Sequence, residues 1–417
     1  MRSYLPLRGV LLLLAAIRPP SVLAQATPDA VTLEDARARF HAGSPALALA
    51  RSRLRAELAS SRQSAAIPNP TASFSNEDLG GYSERYLTLT QGIDFLFDAP
   101  GRGRRAHAQR LRADARFQAD SALLVLEVEQ AHLAAWEVGE RRDVLQRADG
   151  LSATLLSSAQ ARLAEGDLAG YDVRRLEVER ARAGRLLAEA EVEQELAEAR
   201  LAALLGAEPG ARAAVVGPDG TVPALPPSFD AVSVALTRRP EVAAARAAVE
   251  EQRAEASLAR SSIFAGTSLE AGTKRQSDGQ NGLFLGVQIP IPVLDRRGAA
   301  VERARAATSG AEAEVALVER IVAVEASLAH ARLDAATRVA ALVGDRGVAE
   351  AEQLLGIARV AYEEGEIGIV EMVDATRAFT DAALQGLRAR VASWQAYFEL
   401  GQAVGGLSDI MDQGGER

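Results

Sequence analysis

The chain of 417 residues contains no cysteine, and Lys274 is its one lysine. Without disulfides, an exported chain of this length must be held together by packing or by oligomerisation. Aromatic residues make up only 4% of the chain, whereas Ala, Leu, Arg and Glu are abundant. This balance favours extended helices over a thick globular core. The net charge of −9 argues against nucleic acid as a partner.

Long apolar runs are also scarce. The run Gly9–Ile17 has about half of the roughly 20 residues that a membrane-spanning helix needs. Because Arg2 and Arg8 precede it and Ala24 follows, residues 1–24 are predicted to be a cleaved secretory signal peptide. No cysteine follows the cleavage region, so a lipid-anchored N-terminus is not expected. A membrane crossing would therefore have to use strands.

Signs of catalysis are missing as well. There is no glycine loop with a following lysine that would bind phosphate. The histidines are too scattered to form a metal site with one another; they are His41, His107, His132 and His330. We therefore predict a protein that is not an enzyme and that holds no cofactor and no metal site.

What the sequence does contain is an internal duplication at a spacing of about 195 residues. Each copy is predicted to run helix, strand pair, very long helix, turn and helix. The matching segments are Gly43–Arg51 with Arg238–Arg246, Gly92–Gly103 with Gly286–Gly298, and Ala164–Val173 with Glu363–Met372. We divide the chain into the signal peptide, a first repeat at 25–205, a Gly- and Pro-rich linker at 206–230, a second repeat at 231–405 and a polar tail at 406–417.

The strands are predicted at 71–78 and 84–97 in the first copy, and at 264–275 and 282–292 in the second. Apolar and polar residues alternate there with a period of two, which indicates strands with one apolar face. The alternation leaves two interpretations open, surface hairpins packed on helices or part of a membrane barrel. Two matching hairpins in an exported chain fit the barrel better.

Each strand pair leads into a helix predicted to start near Arg102–Arg105 or Arg296–Val301 and to run almost unbroken to Glu165 or Glu364. About 60 residues would extend about 90 Å, which no globular core needs. Gly150 and Gly344 mark possible small breaks. A coiled-coil seam with 3-4 spacing is predicted in the second long helix; it comprises Val301, Ala304, Thr308, Ala311, Val315, Val318, Val322, Glu325 and Ala329.

Four strands per chain cannot close a barrel in lipid, where unpaired strand edges are not tolerated. Closure must come from further copies of the chain. Two copies would give eight strands with a filled lumen, and three would give twelve with a wide pore. Small polar residues on one strand face favour a water-filled lumen and therefore a cyclic trimer.

This order of elements behind a signal peptide resembles the TolC family of outer-membrane efflux channels along essentially the whole mature chain. The sharpest signatures are Arg238-Arg239-Pro240-Glu241, the strand exit Pro290–Gly298, and the two turns centred on Gly166 and Gly365. Asn69-Pro70 and Pro100–Arg105 resemble the branch that serves cobalt–zinc–cadmium efflux.

The resemblance implies a mainly α fold with a small membrane β-barrel: a homotrimer whose twelve-stranded barrel lies among outer-membrane lipid and whose helical tunnel lies in the periplasm. It also implies a passive exit duct for heavy-metal cations. The cations would be delivered by a periplasmic adaptor and an inner-membrane proton-driven pump, and the pump would supply the energy. The alternative that the residues leave open is an exported coiled-coil adaptor or structural periplasmic protein.

The resemblance also implies site residues. Gly166 and Gly365 would form the tip that contacts the adaptor, although each also fits an ordinary helix C-cap. Four further residues would form the pore gate and set its selectivity, because carboxylates repeated around a three-fold axis select cations; they are Asp172, Tyr362, Glu371 and Asp374. Their alternative roles are a solvated acidic face and coiled-coil packing. The best-known member of the family has an arginine two residues after the second turn glycine, where this chain has Ile367, so the closing bonds must differ.

Overall fold

The computed structural model describes residues 30–407, with gaps at 79, 219 and 227–228. The predicted signal peptide lies outside the described residues, as does the tail beyond residue 407. Helices dominate, and one small sheet lies within the chain. No helix in the described part is both long and apolar enough to cross a membrane.

The same order of elements occurs twice. In the first copy the elements are α1 (Leu33–Gly43), α2 (Pro45–Ala65), β1 (Thr71–Asp78), β2 (Ser83–Gly92), α3 (Phe95–Glu165) and α4 (Gly170–Leu204). In the second copy they are α5 (Ala231–Arg238), α6 (Pro240–Ser261), β3 (Ser268–Gln276), β4 (Asn281–Gln288), α7 (Gly298–Val343), α8 (Asp345–Glu363) and α9 (Ile369–Val404).

The second strand of the first copy is shorter than predicted. It ends at Gly92, and α3 begins at Phe95 rather than near Arg102. The alternation that suggested a strand as far as Phe97 was therefore misleading. The reason is packing between the two copies, because the ring of Phe97 stacks on that of Phe264 at 4.5 Å.

The strands of the second copy also differ from the prediction. Phe264 ends a short 3-10 turn, and β3 starts only at Ser268. At the other end, β4 stops at Gln288 instead of reaching residue 292. Pro290 and Pro292 explain the early end, since proline has no N–H to donate to a strand ladder.

The four strands form one antiparallel sheet in the order β1-β2-β3-β4. The two hairpins join through β2 and β3, where Leu87 lies opposite Thr273 and Leu89 opposite Ala271. In the described chain, β1 and β4 each pair with a strand on one side only. The sheet is therefore open at both margins.

Apart from the early start of α3, the long helices follow the prediction, and one of the two predicted breaks occurs. The helix α3 runs for 71 residues and continues through Gly150. The equivalent rod of the second copy is broken at Gly344, whose ψ of −130° is not helical. A Cβ there would lie 2.4 Å from the carbonyl oxygen of Ala340. Along α7, the predicted seam is buried or half-buried at every position except Glu325, beside which Ala326 is fully buried.

The helices that join the strands pack in the same order as the strands. Helix α2 packs on α3, α3 on α6, and α6 on α7. Further from the sheet, α3 packs on α4 and α9, and α9 packs on α8. The chain is thus a wall of helices that extends the sheet, with α3 at its centre.

Candidate functional site

The register of the sheet separates its side chains into two faces. On one face nearly every side chain is apolar, and its large members are 38% to 87% exposed. Thr273 and Gln91, which lies opposite Leu269, are polar residues among these cross-strand neighbours. This apolar face comprises Ala72, Phe74, Leu87, Leu89, Leu269, Ala271, Thr273, Leu283, Leu285 and Val287.

Toward the hairpin loops, the apolar face ends at a polar row. Arg85 donates from Nε to Asn76 Oδ1 at 3.3 Å, and Arg275 donates to Asn281 Oδ1 at 3.1 Å. Cross-strand pairing places these four residues side by side. The row therefore gives the apolar band a sharp outer limit.

The opposite face is mostly polar, with Phe284 opposite Gly272 as an apolar exception, and it carries the chain's one lysine. Lys274 Nζ lies 2.7 Å from Glu84 Oε1 and 5.3 Å from the centre of the Tyr86 ring. Gln276 also donates to Glu84 Oε1, at 2.9 Å. Nearer the helices, Glu270 has no hydrogen bond or ion pair within the described residues. The other members of this polar face include Ser73, Ser75, Thr88, Thr90, Gly286 and Gln288.

At the far end of the helices, the two predicted turns have the same geometry. Gly166 and Gly365 have φ angles of +86° and +78°, which favour glycine. The N–H groups of Asp167 and Glu366 donate back to carbonyls of Arg162 and Ala361 at 2.9 and 2.8 Å. A Cβ at either glycine would meet nothing within 4 Å. Backbone conformation, not crowding, therefore requires glycine there.

Under these turns, one apolar cluster joins α3, α4, α8 and α9, and we call it the tip core. It comprises Leu155, Ala159, Val173, Leu176, Ala358, Tyr362, Ile369, Met372, Val373 and Ala375. Tyr362 is only 6% exposed, and its hydroxyl has no hydrogen-bond partner. The Arg162 guanidinium lies 5.7 Å from the centre of its ring. The structure thus places Tyr362 in packing, and a gating role stays a prediction.

The predicted gate carboxylates occupy matching places in the two copies. Asp172 is half-buried and Glu371 is exposed, and each lies in the first turn of its helix, α4 or α9. Acids there interact favourably with the helix dipole. Asp374 is exposed one turn after Glu371. No contact brings Asp172 together with the other two in the described chain.

One residue of this region escaped the sequence analysis. Arg377 on α9 donates to Glu179 on α4, and its guanidinium also lies 3.9 Å from Asp374. Arg377 thus joins two helices and offsets part of the acidic charge. Ile367, by contrast, packs half-buried against the tip core. The i,i+3 spacing of Asp374 and Arg377 was a signal that could have identified the pair.

Beside the tip core, an open groove of about 600 Å³ lies on the last turns of α8. Ile357 and Val360 form its apolar part and are 68% and 49% exposed. Glu364 and Glu366 line the end near the turn. The groove thus offers an apolar strip beside two carboxylates.

A buried histidine and a partly buried ion pair lie where α1 packs on α3. His132 is 1% exposed, and its Nε2 lies 2.9 Å from the Val31 carbonyl oxygen. Burial lowers the pKa of His132 below its ordinary value of 6.5, and the nearby Arg37 adds to this. Burial also raises the pKa of Glu129, against the effect of Arg37, which donates from Nε to Glu129 Oε1 at 2.8 Å. These groups hold α1 on α3.

Metal ligands are not gathered anywhere in the described ranges: no group of three or more His, Cys, Asp or Glu residues there is placed to hold a metal ion. The candidate site instead consists of two surfaces, the two-faced sheet and the acidic tip. They lie at opposite ends of α3.

Comparisons with known proteins bear on both surfaces. Residues 231–406 match the family described as outer membrane efflux protein. The cobalt-zinc-cadmium resistance protein CzcC of Cupriavidus metallidurans is 25% identical over 354 residues, which are 82% of each chain. The crystal structure of CusC has a TM-score of 0.75 at 18% identity, covering 90% of this chain and 92% of that one.

The outer membrane protein VceC of Vibrio cholerae is similarly close, with a TM-score of 0.74, 18% identity and coverage of 90% of this chain and 96% of VceC. At such identities the structures establish the shared fold. The family match agrees with the predicted location in the outer membrane. The second copy thus matches the outer membrane efflux protein family, the chain is similar to CzcC along both copies, and it shares its fold with CusC and VceC.

Proposed function

We propose that the protein is the outer-membrane duct of a tripartite efflux system and passively conducts heavy-metal cations out of the cell. The observation that carries this proposal is the register of the sheet, which gathers most of the apolar side chains on one face and most of the polar ones on the other. A sheet exposed to lipid on one face and water on the other needs this separation.

The open margins of the sheet support a homotrimer. In lipid, the free backbone groups of β1 and β4 would each cost several kcal/mol, so both strands must find partners. With four strands per chain, three chains would close a twelve-stranded barrel. The polar face, with its small residues such as Gly286 and Thr90, would then line a water-filled lumen.

Helix α7 supports the same assembly. Besides its buried seam, it carries a second row of large apolar residues at 3-4 spacing that are 47% to 58% exposed. Such a row predicts contact with a further helix. It comprises Leu317, Ile321, Val324 and Leu328. We propose that a neighbouring subunit covers this row.

The tip is proposed to receive the periplasmic adaptor. The turns at Gly166 and Gly365 are exposed, and the groove beside them combines apolar and acidic residues. In a trimer, Glu371 and Asp374 would form rings of carboxylates at the pore axis and would favour cations. Because the described residues hold no nucleotide-binding loop, the energy would come from the inner-membrane pump.

Metal cations are the proposed substrate because CzcC is a cobalt-zinc-cadmium resistance protein. Exposed single carboxylates suit a duct, since a tight ligand cluster would trap the ion instead of passing it on. Growth of a strain lacking the gene on cobalt, zinc and cadmium salts tests the substrate. Restored resistance on complementation supports the proposal, and unchanged resistance contradicts it.

The assembly is tested with engineered cysteines, which the native chain lacks. Ser73→Cys on β1 and Gly286→Cys on β4 lie on the same face at opposite margins of the sheet. A short bismaleimide should link neighbouring subunits of the double variant into dimers and trimers, but each single variant at most into dimers. Products no larger than the monomer would contradict the proposed closure.

A further inference from the structure

The bases of all four strands carry large apolar side chains that are partly or fully exposed. They precede β1 and β3 and follow β2 and β4, and they are 38% to 100% exposed. We call this set the basal collar; it comprises Ile67, Leu96, Phe97, Phe264, Ile289, Ile291, Val293 and Leu294. Leu294 is fully exposed. So much open apolar surface at one level of the molecule calls for a partner.

The collar continues the apolar face of the sheet. Ile289, Ile291 and Val293 extend the odd-numbered series of Leu283, Leu285 and Val287 on β4. The apolar part of β4 alone spans four residue steps, or about 13 Å. Outer-membrane barrels carry an apolar band of about 25 Å. The sheet alone is therefore too short for the lipid, and the collar supplies the missing height.

Exposed arginines lie just beyond the collar in each of the four chain segments. Arg62 precedes Ile67, Arg260 precedes Phe264, Arg104 follows Phe97, and Arg296 and Arg297 follow Leu294; all five are exposed. Aliphatic residues bounded by arginines match the acyl chains and phosphates of a lipid leaflet.

A neighbouring strand is a poorer occupant for the collar. Pro290 and Pro292 remove two donors from the same edge of the segment after β4, so a further strand could not complete its ladder there. Val293 instead donates to the Ile291 carbonyl at 2.8 Å, which folds the segment on itself. Asp295 then accepts from the backbone N–H of Arg297 at 2.8 Å as the chain turns into α7, and its Oδ2 also lies 3.8 Å from Nε of the exposed Arg297 side chain.

From this geometry we infer that the basal collar lies within the periplasm-facing leaflet of the outer membrane and that the adjacent arginines bind the phosphates of anionic phospholipids. The inference rests on the proposed membrane-spanning sheet, and it sets where the membrane ends along the chain: between Leu294 and Arg296.

Spin labels on single cysteines test the position. Leu294→Cys and Ile67→Cys probe the collar, Leu285→Cys is the reference for the sheet, and Glu366→Cys is the reference for water. In vesicles, oxygen should relax the collar labels more strongly than a water-soluble nickel chelate does. The ratio of the two effects should place these labels at a shallower membrane depth than the label at position 285. Accessibility like that of position 366 would overturn the inference, as would protection from both reagents, which would mean that a second copy covers the collar. If position 285 itself faced water, the proposed function would fail instead.

The anionic partner is tested by changing the vesicle lipid. In phosphatidylethanolamine vesicles, adding phosphatidylglycerol should slow the motion of a label at position 294. The double change Arg296→Gln and Arg297→Gln should abolish this response, whereas Arg320→Gln, an exposed arginine further along α7, should leave it intact. A response that is absent in the parent, or that survives the double change, would refute the role of the arginines.

Discussion

Two glycines close the duplicated unit in the same way. Gly206 and Gly405 follow the last helices of the two copies, with φ angles of +83° and +81°. A Cβ at Gly206 would lie 2.6 Å from the carbonyl oxygen of Gly43, and one at Gly405 would lie 3.0 Å from that of Arg238. Gly43 and Arg238 are the matching residues with which the sequence repeat begins. The sequence duplication is thus matched by an equivalent close backbone contact in each copy.

Gly405→Ala should therefore destabilise the protein more than a positive φ alone explains. A side chain in this conformation costs about 1–2 kcal/mol, and the contact with Arg238 adds to it. Gly210→Ala is the matched control, because Gly210 has a φ of +89° but open space around it. Thermal unfolding should show the larger loss for Gly405→Ala. Equal losses would mean that the joint is not tightly packed.

His132 should make stability depend on pH. Its lowered pKa means that the stability it contributes is present above 6.5, where the unfolded state is also neutral, and is lost as the pH falls. The raised pKa of Glu129 acts oppositely, losing stability as the pH rises above 4.5. Between pH 7.5 and 5, wild type should lose more stability than His132→Gln, by at most about 1.4 kcal/mol per pH unit.

The exposed His107 on the same helix provides the control for this measurement. His107→Gln should keep the pH dependence of wild type. If both variants and wild type respond alike to acid, the burial of His132 does not govern the response.

At the scale of elements, Arg377 ties α9 to α4 at the tip. Replacing Glu371 and Asp374 together by Ala should weaken the cation preference of single channels without disrupting assembly, because each trimer loses six negative charges. Arg377→Gln should act in the opposite direction, since it leaves Glu179 and Asp374 without their cation. Reversal potentials in a salt gradient measure both. Unchanged preference in both variants would remove the tip carboxylates from the selectivity of the pore.

Two substitutions of Tyr362 distinguish a packing role of this side chain from a gating role. Its buried hydroxyl has no partner, and such a group costs about 1–3 kcal/mol. Tyr362→Phe should therefore raise the stability of the tip and leave conductance unchanged, whereas Tyr362→Ala should open a cavity and increase leak current. A leak in Tyr362→Phe would show that the hydroxyl holds the closed state.

The elements also show what a sequence can and cannot predict. The heptad seam of α7 was recognisable because it records a buried face, and the alternation of β2 and β4 because it records an apolar face, which is exposed in the described chain. The end of β2 was not, because Phe97 serves a contact with Phe264, almost 170 residues later in the chain. Gly344 breaks its helix and Gly150 does not, although both are single glycines in helical surroundings. Arg377 was missed because its partner Glu179 lies in the other copy.

The whole described chain is a wall of helices that continues its sheet. The sheet and the helices that extend it share the same order, and the sheet remains open at β1 and β4. Open margins, a row of exposed apolar residues on α7 and an uncovered basal collar are costly in a lone chain. The sister subunits and the lipid that we propose would together cover all three.

The measurement that tests this account most directly is the mass of the mature protein released intact from detergent. We expect a mass of three copies of the chain per particle. Circular dichroism of the same particle should show its strands still formed. A stable particle of one chain with its strands formed would contradict the account, because its strand margins would then need no partner.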